Sequence, residues 1–320
     1  MADPHRLLLI VNPRAQSVTP DRTQTVAAIL GSAFQLTRAF TQGPGHATEL
    51  AHKAAYGDAD VVAVLGGDGT INEAANALAG TRVPLGILPG GGADVFARSI
   101  GIPTDPPAAA RLLIERAADS VHARTVPLGR VVGSPEGEGR FFLANYGAGF
   151  DAAIVRAVER HPRTKRRFGD WSFVGNGLRQ FFLGYDRRRP RLELSWGAGA
   201  DQRQRDLFLA VVQNTTPYTF LGRRPMRLCP DATLDGGLDC FALATMRTRV
   251  VLPLLLQAFR SGVRTSDPRV TSLHDLRRLR IGASVPMPMQ VDGEFIGERT
   301  ELVVESVPEA LCVIAPATGS

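Results

Sequence analysis

Cysteine is scarce in this chain: Cys229, Cys240 and Cys312 are the three present among 320 residues. Their spacing forms no metal pattern, and an odd number argues against a disulfide framework. A reducing cytoplasm is the simplest setting. Long hydrophobic runs are also missing. The greasiest stretch, Val250–Leu256, contains Pro253 and falls far short of the ~20 residues that a bilayer-spanning helix needs. Met1-Ala2-Asp3-Pro4 leads straight into the strand-like Leu7–Val11 without an apolar signal core. Any membrane contact is therefore expected from the side, by a cytoplasmic protein peripheral to the inner face. There is no internal repeat and no low-complexity tract.

What is present describes a folded enzyme-sized chain. The length suggests two domains, and 44% hydrophobic with 21% charged residues is a globular composition. The net charge of +6 favours polyanions such as anionic lipid, nucleotide phosphates or nucleic acid, without choosing among them. No recognised nucleic-acid motif accompanies the charge, so no nucleic-acid partner is expected. The oligomeric state is not legible, and a homodimer stays open.

The first part alternates strand and helix patterns: Leu7–Val11, then Thr19–Leu30, Gln35–Phe40, Ala47–Ala55, Asp60–Leu65, Ile71–Ala79, Pro84–Leu88 and Asp94–Ile100. That order predicts an α/β domain with a parallel sheet, whose ligands bind beyond the carboxyl ends of the strands. After about Thr125 the pattern changes. Val126–Val132, Arg140–Tyr146, Leu192–Trp196, Leu207–Gln213, Gly237–Thr245, Arg277–Ala283 and Pro288–Val291 read as short strands of a mostly β second domain. Helical segments near Ala152–Glu159 and Phe173–Phe182 interrupt it.

Four segments could carry chemistry. Gly66-Gly67-Asp68-Gly69-Thr70 follows a strand and opens a helix, which places flexible backbone and a positive dipole end where an anion can approach. Asp68 there suits a metal, a water or a ribose hydroxyl. Thr70 and Glu73 also fit a capping box, so part of the motif can be explained as a helix start. Gly90-Gly91-Gly92-Ala93-Asp94 repeats the arrangement after the next strand; it fits either an anion-binding concavity or a strand–helix connection with Asp94 as N-cap. Neither loop is a Walker A sequence or the dinucleotide fingerprint, which points to a kinase without a P-loop cradle. Asn12-Pro13-Arg14 ends the first strand and fits a phosphate contact and a plain turn equally well. In Asp292-Gly293-Glu294, residues two apart on a strand would send both carboxylates to one side, for proton abstraction and magnesium or water. The same residues fit a two-residue Asp-Gly hairpin turn, which the segment alone favours.

Taken together these motifs resemble the diacylglycerol kinase catalytic family, which also includes sphingosine and ceramide kinases, over nearly the whole chain. Gly66–Glu73 is similar to the family's nucleotide loop, Asn12–Ala15 to its first-strand motif, and Leu85–Gly91 with Phe96-Ala97-Arg98 to its second glycine loop. Ala232–Asp239 resembles a segment that holds a structural magnesium in some members, and Asp292-Gly293-Glu294 the segment of the catalytic base and a magnesium-linked acid. The resemblance implies an α/β nucleotide-binding domain over residues 1–126, rejoined by a strand from about 304–320. It implies a β-sandwich lipid-substrate domain over 127–303, with the nucleotide in the cleft between the two. Carried over by position, Asn12, Arg14, Thr41, Gly66, Gly67, Asp68, Gly69, Thr70, Glu73, Gly90, Gly91, Gly92 and Asp94 meet ATP. Asp292 is the base, Glu294 joins a Mg2+ network, and Asp235, Asp239 and Glu294 are the metal-linked acids. One departure stands out: the family usually has Thr and Asn where this chain has Gly92-Ala93-Asp94.

The expected activity is therefore transfer of the ATP γ-phosphate to a lipid hydroxyl, most simply diacylglycerol to phosphatidic acid. The alternatives are a kinase of a soluble acceptor such as NAD, or a non-catalytic nucleotide- or lipid-binding homologue. Arg163–Arg167 and Arg187–Arg189 are candidate contacts to anionic lipid or solvated loops. The apolar run Val250–Phe259 fits a lipid contact or a core helix, the core being the stronger reading.

Overall fold

A computed structural model describes residues 5–117, 123–133, 139–160, 179, 184–197 and 199–316. The helix expected near Phe173–Phe182 and the basic segment Arg163–Arg167 lie outside the described residues, apart from Arg179. The chain divides into two compact units, one of residues 1–127 with 308–320 and one of residues 128–307.

The first unit holds strands β1 (Arg6–Val11), β2 (Gln35–Phe40), β3 (Val61–Gly66) and β4 (Leu85–Pro89). Helices α1 (Pro20–Gly31), α2 (His46–Ala55), α3 (Asp68–Leu78), α4 (Val95–Ser99) and α5 (Pro106–Ala117) connect and flank them. The sheet runs β2-β1-β3-β4 with every pair parallel, as the alternation of elements predicts. All six residues of β3 and all five of β4 are buried, the near-continuous apolar run that a covered parallel strand requires. Helix α1 starts on Thr19, whose hydroxyl accepts from the Arg22 N–H, with Pro20 in the first turn. Helix α5 adds an element to the alternation expected from the sequence. It packs so closely on the sheet that a Cβ on Gly86 would lie 2.2 Å from Leu113 Cδ1.

The second unit is a β-sandwich. Its strands are β6 (Arg140–Phe142), β7 (Asn145–Gly149), β8 (Leu192–Trp196), β9 (Gln202–Leu207), β10 (Leu209–Gln213), β11 (Thr219–Leu221), β12 (Arg224–Met226), β13 (Leu238–Leu243), β14 (Val270–Leu276) and β15 (Arg278–Val291), with the greater part of β5 (Ala123–Val132) and β16 (Glu294–Ile314), whose residues before 128 and after 307 belong to the first unit. The antiparallel path β14-β13-β10-β7-β15 forms its spine, and β15 also pairs with β16 and β8. Tyr146, Phe142, Leu194, Val212 and Ile281 are among the buried side chains of one core cluster. Helices α6 (Phe150–Glu159) and α7 (Thr248–Arg260) belong to this unit.

Three local expectations change. The run Arg140–Tyr146 is broken into β6 and β7, because the Leu143 and Ala144 N–H groups turn aside to the Asp292 carboxylate. The segments Arg277–Ala283 and Pro288–Val291 join into the single strand β15, with its register shifting between Gly282 and Met287. Strand β9 carries the sequence QRQRDL, too polar to announce a strand, and is largely exposed where it pairs with β8. Near the chain end, Val313 and Ile314 of β16 pair in parallel with Leu85 and Gly86 of β4.

Candidate active site

The parallel register of the first unit lines up three loops. Val11 lies opposite Leu65, and Gly66 opposite Pro89, so Asn12, Gly67 and Gly90 follow the carboxyl ends of neighbouring strands. Backbone bonds lace them together: Asn12 N–H donates to Leu65 O at 2.9 Å, and Gly90 N–H to Gly66 O at 2.8 Å. Thr41 N–H donates to Val11 O at 2.9 Å, which puts Thr41 at the same end of the sheet.

The two glycine loops touch. A Cβ on Gly91 would lie 3.0 Å from Gly67 Cα and 2.7 Å from Asp94 Oδ1, and one on Gly90 2.7 Å from Val18 Cγ2. A side chain on Gly90 would press on Val18, and one on Gly91 on the Asp94 carboxylate, so both positions favour glycine. Asn12 Nδ2 donates to Thr70 Oγ1 at 2.8 Å, while its Oδ1 accepts from the Arg14 N–H at 3.0 Å. The Arg14 side chain is exposed. Asp68 Oδ1 accepts from Val95 N–H at 2.8 Å, tying the first loop to the start of α4. Helix α3 starts on Gly67 without a side-chain cap, and exposed Gly69 lies in its first turn. The arrangement offers glycine-lined backbone and a helix dipole to an anion.

Two residues do work that their sequence position does not suggest. The capping box expected of Thr70 and Glu73 is not formed, since the helix already begins at Asp68. Instead the Glu73 carboxylate accepts from Gly45 N–H at 2.9 Å and Ala47 N–H at 3.1 Å, so it holds the start of α2. Asp94 stands at the start of α4, but its side chain makes no capping bond to that helix. It takes a left-handed backbone, φ +46°, and its Oδ1 accepts from Gly91 N–H at 2.9 Å, closing the second loop on itself. Burial pushes its carboxyl up to about 6; the Gly91 N–H and the Arg98 charge pull in the opposite direction. Sequence inspection missed Ser17, which donates through N–H to Gly90 O at 3.0 Å and through its hydroxyl to Gly91 O at 3.3 Å.

In the second unit, Asp292-Gly293 is the two-residue turn between β15 and β16. Val291 pairs with Glu294, and φ is positive at both turn residues, +45° and +80°. The chain reverses between the two acids, so their same-side strand geometry is not what the structure shows. The Asp292 carboxylate accepts from Leu143 N–H at 2.8 Å and from Ala144 and Asn145 N–H at 2.9 Å each. Glu294 pairs with Arg140 at 2.5 Å. Both acids thus face the β6–β7 segment.

Beneath the turn runs a buried polar network. Gln290 Nε2 donates to Asn145 Oδ1 at 3.0 Å and to Asp151 Oδ2 at 2.9 Å, while its Oε1 accepts from Gly293 N–H at 2.8 Å. The Tyr218 hydroxyl donates to Asp151 Oδ1. Burial raises the Asp151 pKa, against the hydrogen bonds from Tyr218 and Gln290. Nothing in the local sequence marks these residues; long-range pairing across 139 positions assembles them.

Asp235, Asp239 and Glu294 do not form a metal cage. Among the described residues no three His, Cys, Asp or Glu side chains gather closely enough to hold an ion. Buried Asp239 instead pairs with His274 Nδ1 at 2.8 Å and accepts from Asp275 N–H at 3.1 Å. The hydrogen bond and charge of Asp239 raise the His274 pKa, with Asp275 and Asp231 adding smaller effects. This ion pair contributes stability fully below the ordinary histidine range, and the contribution is lost as pH rises through the raised value. An NMR titration is expected to place the His274 midpoint above that of a free histidine, and D239N to bring it down. An unchanged midpoint in D239N would remove the pair.

Comparison with known proteins agrees with this architecture. Residues 6–126 match the diacylglycerol kinase catalytic domain, and residues 144–315 match the YegS C-terminal NAD kinase β-sandwich-like domain. A diacylglycerol kinase of Bacillus subtilis is 28% identical over 259 residues, covering 79% of this chain and 77% of that protein. One of Mycobacterium tuberculosis strain H37Rv is 29% identical over 265 residues, covering 81% and 78%. The crystal structure of a diacylglycerol kinase from Bacillus anthracis str. Sterne superposes with a TM-score of 0.72 at 20% identity, covering 99% of this chain and 98% of that one. With a two-domain match that runs from the first strand to the last, the chain belongs to the diacylglycerol kinase family.

Proposed function

We propose that this chain is an ATP-dependent lipid kinase that phosphorylates a lipid hydroxyl, with diacylglycerol the acceptor and phosphatidic acid the product. The observation that carries the reading is the contact between two glycine loops at adjacent parallel strand ends, where a Cβ on Gly91 would lie 3.0 Å from Gly67 Cα and 2.7 Å from Asp94 Oδ1. Such a concavity suits a polyphosphate. Asn12, Arg14, Thr41 and Thr70 belong to the same end of the sheet and would meet the nucleotide. Asp68 and Asp94 are the acids beside the loops. Magnesium, when bound, would neutralise phosphate charge, and its usual reliance on substrate oxygens suits a site without an all-protein cage.

Asp292 draws the proton from the attacking hydroxyl, with Glu294 held beside it on Arg140. Phosphoryl transfer needs mainly positioning and charge stabilisation. Three backbone donors and a two-residue turn give Asp292 the fixed position that such a role requires. The family relatives named diacylglycerol kinase favour a lipid acceptor over NAD.

Labelled ATP offered with diacylglycerol, sphingoid base, ceramide and prenol, with NAD as control, tests the assignment. Label is expected in phosphatidic acid. Label appearing in NAD instead would replace the lipid acceptor by a soluble one, and ATP binding without transfer to any acceptor would leave a non-catalytic homologue.

A further inference from the structure

Helix α7 differs from the core helix that its apolar composition suggests. Val250 and Ala258 are its buried residues, and Val251 and Leu254 are half-buried against a core cluster of the second unit. Leu252, Leu255 and Leu256 are instead 52%, 38% and 58% exposed. Three large leucines left to water on one short helix are unusual for a soluble surface.

Their neighbours are basic. Arg249 lies three residues before Leu252 and Arg260 four after Leu256, so both continue the leucine stripe along one helix face. Arg249 and Arg260 are exposed, as is Arg247 just before the helix. No Asp or Glu occurs between Thr248 and Arg260. The β11–β12 hairpin packs beside α7 through the following backbone, where Arg227 N–H donates to Ala258 O at 2.8 Å. The tip of that hairpin carries exposed Arg223 and Arg224. An apolar stripe rimmed by arginines is complementary to the boundary between acyl chains and anionic headgroups.

We propose that α7 docks in the plane of an anionic lipid surface, with Leu252, Leu255 and Leu256 entering the acyl boundary and Arg249 and Arg260 meeting headgroup phosphates. The choice of a lipid surface rests on the lipid-kinase reading, but docking is measured without nucleotide and so fails or stands separately from transfer.

The test is co-sedimentation of the full chain with vesicles of phosphatidylglycerol and phosphatidylcholine, against vesicles of phosphatidylcholine alone. Wild type is expected to sediment with the anionic vesicles and to be released by salt. R249Q/R260Q is expected to bind about 25-fold less, since each arginine near an anionic surface contributes about fivefold. L252S/L255S/L256S is expected to lose binding that low salt does not restore. Should the leucine variant fold poorly, the arginine pair, fully at the surface, decides alone. Unchanged sedimentation of R249Q/R260Q, or no sedimentation of wild type, overturns the proposal. A dimer that the leucine substitutions dissociate, without effect on vesicle binding, would assign this face to a second copy of the chain. Vesicle binding without any phosphoryl transfer would leave docking intact and remove the kinase assignment.

Discussion

Replacing Asp292 by asparagine is expected to lower turnover by about 10²–10⁴-fold, the span of a lost general base, while ATP binding persists. The structure adds a second expectation. Asparagine tolerates the positive φ of +45° found there and can keep an oxygen toward Ala144 and Asn145. Its amide nitrogen would then face the Leu143 N–H, which now donates to Asp292 Oδ2 at 2.8 Å, and two donors would be left without an acceptor. That mismatch costs on the order of 1–3 kcal/mol, so the melting temperature should fall as well. The two effects are separable. A turn anchor alone gives a less stable protein whose folded fraction turns over normally, whereas a base gives a folded protein that does not. Gly293→Ala, strained at φ +80°, is the control that loosens the turn without touching the carboxylate. Near-normal turnover of folded D292N would take Asp292 out of the chemistry.

The second large effect concerns Asp94. Burial pushes its carboxyl up to about 6, from 3.8 for an ordinary aspartate. A raised carboxyl favours the protonated folded state, so stability is full below about pH 4 and is lost as pH rises through 6. A rise from 3.8 to about 6 corresponds to about 3 kcal/mol withheld at neutral pH. Asparagine at this position keeps the oxygen that accepts from Gly91 and carries no charge to bury. D94N is therefore expected to melt several degrees higher at pH 7.5, with the gain vanishing toward pH 4. Chemical unfolding across that pH range checks it; a gain independent of pH would show that the charge is not the cause. A carboxylate kept at such a cost in a glycine loop is what a stability–function trade produces.

How much was legible depended on distance along the chain. The parallel sheet of the first unit and its glycine loops were readable because the hydrophobic period and the turn residues are local. The same locality misled at Glu73, whose three-residue spacing from Thr70 imitates a capping box while its carboxylate reaches back to α2. In the second unit, the Asp292-Gly293 dipeptide announced its hairpin, but not the three amides 147 to 149 positions earlier that its carboxylate collects. The network of Asn145, Asp151, Tyr218 and Gln290 is invisible for the same reason: each residue alone looks like ordinary core or loop. Helix α7 was misjudged because composition reports how apolar a helix is and not which side has something to pack against.

The most direct measurement is amide hydrogen exchange of the full chain with and without ATP and magnesium. Protection is expected at the amides of Gly67, Gly69 and Gly92, together with the first turn of α3. Protection confined to other segments, with these three glycines exchanging as in the free protein, would contradict a polyphosphate seat between the paired loops and remove the basis for the kinase.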